Sequence, residues 1–120
     1  MIKCSSWCNR SKVVMSDRVH RNCFRCSDAE SDEHILAKLS IFRFLRRNCL
    51  DCITEARFVR GGRADLYCLS LDVAIEVVSS EKLGSIVLKQ CKYPCEVLVF
   101  DVNKFNTKDK LLIWCVDNLL

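Results

Sequence analysis

Glycine and proline are scarce in this chain, with three Gly and one Pro in 120 residues. That scarcity excludes collagen-like, linker-like and long low-complexity segments, and no internal repeat at solenoid periods is visible. No apolar run approaches the roughly 18 residues a membrane span needs, and Met1-Ile2-Lys3-Cys4 opens no signal-peptide-like apolar region. The expectation is a soluble, intracellular (cytoplasmic) protein with no membrane partner. Only two histidines are present, His20 and His34, and neither sits in a Cys-His signature, which argues against a cysteine nucleophile.

An apolar share of 50% in 120 residues suffices for one core, so one domain plus a small appendage is the limit. The net charge of +4 is unevenly spread. Residues 1–27 carry Lys3, Arg10, Lys12, Arg18, Arg21 and Arg25 against Asp17 alone. A basic amino-terminal part points to a polyanionic partner such as nucleic acid, because Lys and Arg displace counterions from phosphates. A merely solvated basic surface is the blander alternative.

Ten cysteines need an explanation in a reducing compartment. Cys4-x3-Cys8 and Cys23-x2-Cys26 stand fourteen residues apart, close to the knuckle spacing of a tetrahedral zinc site, and residues 1–27 are too few to make their own apolar core. The expectation is a zinc-binding module over residues 1–27 with Cys4, Cys8, Cys23 and Cys26 as ligands and His20 as a replacement ligand. One or two disulfides would close similar loops. Cys49-x2-Cys52 is a second short pair with no match nearby, where disulfide, redox pair and incidental neighbours compete, and Cys68, Cys91, Cys95 and Cys115 read as small buried hydrophobes.

Residues 28–120 show regular periodicity. Ser27-Asp28-Ala29-Glu30 has capping-box spacing, and Ile35, Leu39, Phe42 and Leu45 recur at helical intervals to about Arg47. Ile53 to Arg60, then Gly61-Gly62, then Arg63 to Leu69 read as a hairpin. Val73 to Val78 is apolar on both faces, as in a doubly covered central strand, and only Glu76 interrupts it. Ser79 and Ser80 are expected to cap a second helix ending near Tyr93-Pro94. Cys95 to Asp101 reads as another strand, and Thr107 as the cap of a last amphipathic helix. The predicted order is αβββαβα.

A carboxylate within a central apolar strand costs several kcal/mol unless it is paired, protonated or bound to a cation. Glu76 therefore needs a partner, and Asp65 on the preceding strand is placed to meet it. Two such carboxylates suit a hard divalent cation such as Mg²⁺ or Mn²⁺. A simple ion pair of Glu76 with Arg63 is the alternative. The order of elements, with Ala64-Asp65 on the second strand and Ile75-Glu76-Val77-Val78 on the third, resembles the PD-(D/E)XK nuclease superfamily over about residues 28 to 101. Within it, Glu30-Ser31-Asp32-Glu33-His34 through Lys38, Gly62-Arg63-Ala64-Asp65 and Ala74-Ile75-Glu76 are similar to competence-protein CoiA-like nucleases and to small nuclease-like proteins of archaea and their viruses.

The resemblance implies a restriction-endonuclease-like αβββαβ core with a mixed central sheet and metal-dependent hydrolysis of DNA phosphodiesters. It implies metal binding by Asp65 and Glu76, a contribution from Glu30 or, preferentially, Glu33 on the first helix, and a ligand in the backbone carbonyl of Val77. Where the family pattern has lysine, two residues after the Glu, this chain has Val78. Lys38, favoured, or Lys82 or Lys89 would take over the role, and otherwise the chain is a catalytically inactive nucleic-acid-binding protein of the same fold. Gln90 and Tyr93 faintly resemble a pair found after the core motif in RecB-like nucleases, although a polar helix end with Tyr93 packed beside Pro94 fits them better. A zinc-stapled adaptor is a third reading, and a homodimer is left open.

Overall fold

The computed structural model describes residues 8–79 and 83–120. After a one-turn helix α1 (Met15–Arg18) come α2 (Asp32–Arg47), β1 (Cys52–Arg57), β2 (Arg63–Cys68), β3 (Val73–Val78), α3 (Leu83–Lys92), β4 (Glu96–Asp101) and α4 (Lys108–Leu119). The strands lie in the order β1-β2-β3-β4. β1, β2 and β3 pair antiparallel, and β4 joins β3 parallel across the α3 crossover. The fold is thus mixed α/β with a four-stranded mixed sheet, in the order read from the sequence.

Alternation along the strands sends side chains to two separate cores. On one face, Ala37, Ile41 and Leu45 of α2 and Trp114, Cys115 and Leu119 of α4 pack on Cys52, Leu66, Cys68, Ile75 and Phe100. On the other, Val13, Phe58 and Tyr93 cover Ile53, Tyr67, Ala74 and Val97. Residues 73–77 of β3 are all buried, Glu76 included, as an apolar run on both faces predicted. Each fully buried Leu or Ile stabilises by about 1.5–3 kcal/mol, which makes the α2 face a major contributor.

Helix ends correct the sequence reading in one place and agree with it in another. Ser27 does not cap α2: its hydroxyl accepts from the amide of Ala29, and residues 27–30 form a turn. The cap is Ser31, which accepts from the amide of His34. Thr107 caps α4 as expected, accepting from the amide of Lys110. Ser80 and Lys82 lie outside the described residues. β1 ends at Arg57, and Phe58 closes the turn by donating to the carbonyl of Gly62.

Residues 8–27 lie along the outer edge of β1. Val13 is fully buried and bridges Phe58. Arg57 binds buried Asp17 through its guanidinium and its amide, Asn22 brackets the backbone of Cys52, and Arg25 binds Thr54. These bonds satisfy an otherwise open sheet edge and order the segment. Cys4 lies outside the described residues, and Cys8, Cys23 and Cys26 are free, exposed thiols. Among the described residues those three thiols do not converge as metal ligands; the one group of three or more candidate ligands within 4.8 Å of one another lies elsewhere.

Candidate metal centre

The last β2–β3 pair is Leu66 with Ile75, and one step beyond it Asp65 comes opposite Glu76. There the backbone ladder stops and a side chain replaces it: the amide of Val77 donates to Asp65 Oδ2 at 2.8 Å. The β1–β2 ladder also skips this row, pairing Thr54 with Leu66 and Ala56 with Ala64 but not Glu55 with Asp65. Glu55 has φ 52°, a left-handed conformation that costs a non-glycine residue about 1–3 kcal/mol. The alternation resets here. Leu66 faces the α2 core, whereas Ala64, which regular alternation would place beside it, belongs to the opposite core. Glu55, Asp65 and Glu76 thus fall in one row where both ladders break.

Two helices bring further groups to this row. Glu30, just ahead of α2, and His34 and Lys38 within it follow at four-residue intervals and share a side. His34 Nε2 is 3.3 Å from Asp65 Oδ1, and Glu30, His34 and Asp65 are the converging group of candidate ligands. From the other face, Lys89 of α3 comes within 3.9 Å of Glu76 Oε1. The hydroxyl of Tyr93 lies 2.5 Å from that same oxygen and 2.6 Å from the carbonyl of Arg63. Gly62 makes this possible: it has φ 88°, and a Cβ there would stand 2.6 Å from the Tyr93 ring.

Electrostatics separates the two carboxyls. Burial and the neighbouring charge of Asp65 push Glu76 up to about 8. Burial also acts to raise Asp65, but the adjacent His34 imidazole, Glu76 and the Val77 amide outweigh it and hold Asp65 below its ordinary value. Near neutral pH the pair therefore shares one proton, carried by Glu76. The Asp65 carboxylate beside it raises His34 despite partial burial. Lys38, fully buried, stands 3.2 Å from Glu30 and 3.1 Å from Glu55. The His34–Asp65 and Lys38–Glu55 approaches are charge contacts not aligned as hydrogen bonds. Glu30 Oε2, His34 Nε2 and both oxygens of Glu55 are consequently buried without a hydrogen-bond partner.

Of the residues selected from sequence, Asp65 and Glu76 are brought together. Val77 takes part through its amide, which orients Asp65. Glu33 is not at this row: it is exposed and lines a cleft of about 790 Å³ between α2 and α4, while Glu30 is the helix-end carboxylate that arrives. Lys38 is held by Glu30 and Glu55 rather than poised on a solvated face, and Lys89 is the ammonium that reaches Glu76. Sequence reasoning missed His34, Glu55 and the contact of Tyr93 with Glu76. The four-residue step from Glu30 to His34 was a usable signal for the first. Nothing in the strand pattern marked Glu55.

No helix among the described residues is long and apolar enough to cross a membrane. No family model, curated protein or solved structure matches the chain.

Proposed function

We propose that the chain is a metal-dependent nuclease that hydrolyses DNA phosphodiester bonds at the Asp65–Glu76 row, with a PD-(D/E)XK-like core. The observation that carries this reading is the meeting of Asp65 and Glu76 where two ladders break, joined by Glu30 and His34. The αβββαβ order with carboxylates on its second and third strands supports it. The donor set fits a divalent cation: electron-rich oxygens and an imidazole nitrogen face one another, several of them buried and unpartnered. An imidazole among carboxylates favours Mn²⁺ over Mg²⁺, which prefers oxygen ligands and water.

Asp65, Glu76, Glu30 and His34 would hold the cation, which supplies polarisation of the phosphate and activation of water when bound. The protein's own groups do the rest. The Val77 amide fixes one oxygen of Asp65 and leaves the other toward His34. Tyr93 and Gly62 hold Glu76 in place. Lys89 sets a positive charge beside Glu76, in the role of the lysine replaced by Val78, where it would stabilise charge developing on the phosphate. Exposed Arg60, Arg63 and Lys92 near the hairpin turn would contact the backbone of the substrate.

The test is cleavage of end-labelled DNA with Mn²⁺ or Mg²⁺ against EDTA. Cutting should require the metal, and Asp65→Ala and Glu76→Ala should each abolish it while DNA retention persists. Lys89→Ala should slow it about a hundredfold, the scale of one lost transition-state donor. Wild-type-like cutting by Asp65→Ala would sink the assignment. An inert wild type that still binds Mn²⁺ and DNA would make the chain a binding protein instead.

A further inference from the structure

Cys52 and Cys68 are register partners across β1 and β2. Which kind of partner matters, because antiparallel pairs alternate between those that exchange backbone hydrogen bonds and those that do not. Cys52 belongs to the second kind. Its carbonyl accepts from the amide of Asn22 at 2.7 Å, and its own amide donates to Asn22 Oδ1 at 3.0 Å, so both of its backbone groups point away from β2. At such positions the side chains of the pair approach most closely. Both thiols are fully buried, lie in the same core beneath α2, and are free in this structure.

We propose that Cys52 and Cys68 are a site of disulfide formation that staples the edge strand β1 to β2. The link would close a loop holding Glu55, the Gly61-Gly62 turn and Asp65, and would fix the register of the row where the ladder breaks. This replaces the short Cys49-x2-Cys52 pair suggested by spacing: Cys49 ends exposed beyond α2 with φ 57°, while Cys52 is buried in the strand. The inference is independent of nuclease activity.

The reaction is thiol–disulfide exchange with a low-molecular-weight disulfide. A thiolate of one cysteine attacks the small disulfide and expels one small thiol. The second cysteine then attacks the mixed disulfide and expels the other. Two protons and two electrons leave the protein, and one small disulfide becomes two thiols. Burial decides when this happens. In the folded protein burial pushes Cys52 up to about 12 and Cys68 up to about 11, leaving almost no thiolate. The bond therefore forms as the hairpin closes and before α2 covers it, and once covered it is shielded from reductants.

The experiment refolds denatured, reduced protein in a buffer of oxidised and reduced glutathione, with a parallel sample in dithiothreitol. Both samples are then alkylated in denaturant and mapped by mass spectrometry. A peptide linking Cys52 to Cys68 is expected in the first sample alone, with thermal unfolding raised by roughly 10 °C, as for a loop of about this length. Cys49→Ser should retain the link and Cys68→Ala should lose it. Full alkylation of Cys52 and Cys68 after glutathione refolding, or a link from Cys52 to Cys49, would overturn the proposal. Because the map is made on the unaltered chain, a misfolded variant does not shield the idea from refutation.

Discussion

A lysine with no exposed surface needs nearby negative charge, and Lys38 has it in Glu30 and Glu55. Breaking a buried pair from one side leaves charge uncompensated and typically costs about 3–5 kcal/mol. Lys38→Met should therefore lower the unfolding free energy from urea titration by that much, whereas an outward-facing lysine would be replaced within about 0.5 kcal/mol. Glu76 makes a second residue-scale prediction, and its sign follows from the direction of the shift. Its carboxyl titrates near 8 in the fold against an ordinary 4.5, so the folded state favours the protonated form. That stabilisation is complete below about pH 4.5 and is lost as pH rises through 8. The melting temperature of the protein in EDTA should fall between pH 6 and 9, and Glu76→Gln should flatten the fall. Asp65, held low, works the other way and loses its contribution only in acid. Equal slopes in wild type and Glu76→Gln would contradict the proton assignment.

Elements were legible where one physical rule acted alone. The period of α2, the doubly buried run of β3 and the Thr107 cap needed only helical spacing, alternation and a side-chain acceptor. The start of α2 was misread because Ser27 and Ser31 both stand ahead of an apolar period, and Glu30 completes a capping box with the wrong one. In the structure Glu30 lies ahead of the helix and pairs with buried Lys38 instead of closing that box. Ser31→Ala should accordingly cost about 1 kcal/mol in urea unfolding, the usual value of a lost cap. Ser27→Ala should cost less than half of that, and the reverse ranking would restore the earlier start. The reset at Glu55 had no signal in the sequence, since a left-handed glutamate in a β-branched and apolar run departs from propensity. Rule-breaking of this kind, beside a row of carboxylates, is expected at functional sites rather than in structural strands.

At the scale of the whole molecule, chain order followed from the alternation of periods, the mixed sheet only from the resemblance, and Asp65 with Glu76 from the cost of burying a carboxylate. The helix contributions did not, because which of Glu30, Glu33, His34, Lys38 and Lys89 faces the row depends on how α2 and α3 are rotated against the sheet. The amino-terminal segment was also more integrated than its cysteines suggested. Several of its basic groups serve the fold, Lys12 binding Asp72 and Arg25 binding Thr54. The carboxylate row proposed as the metal site is the feature on which the whole account turns. Crystals soaked in Mn²⁺ at pH 8.5, where Glu76 gives up its proton, should show an anomalous peak at the manganese edge within ligand distance of Asp65 and Glu76, and Asp65→Ala crystals should lack it. A peak confined to surface carboxylates, or none at that row in the unaltered protein, would contradict the account.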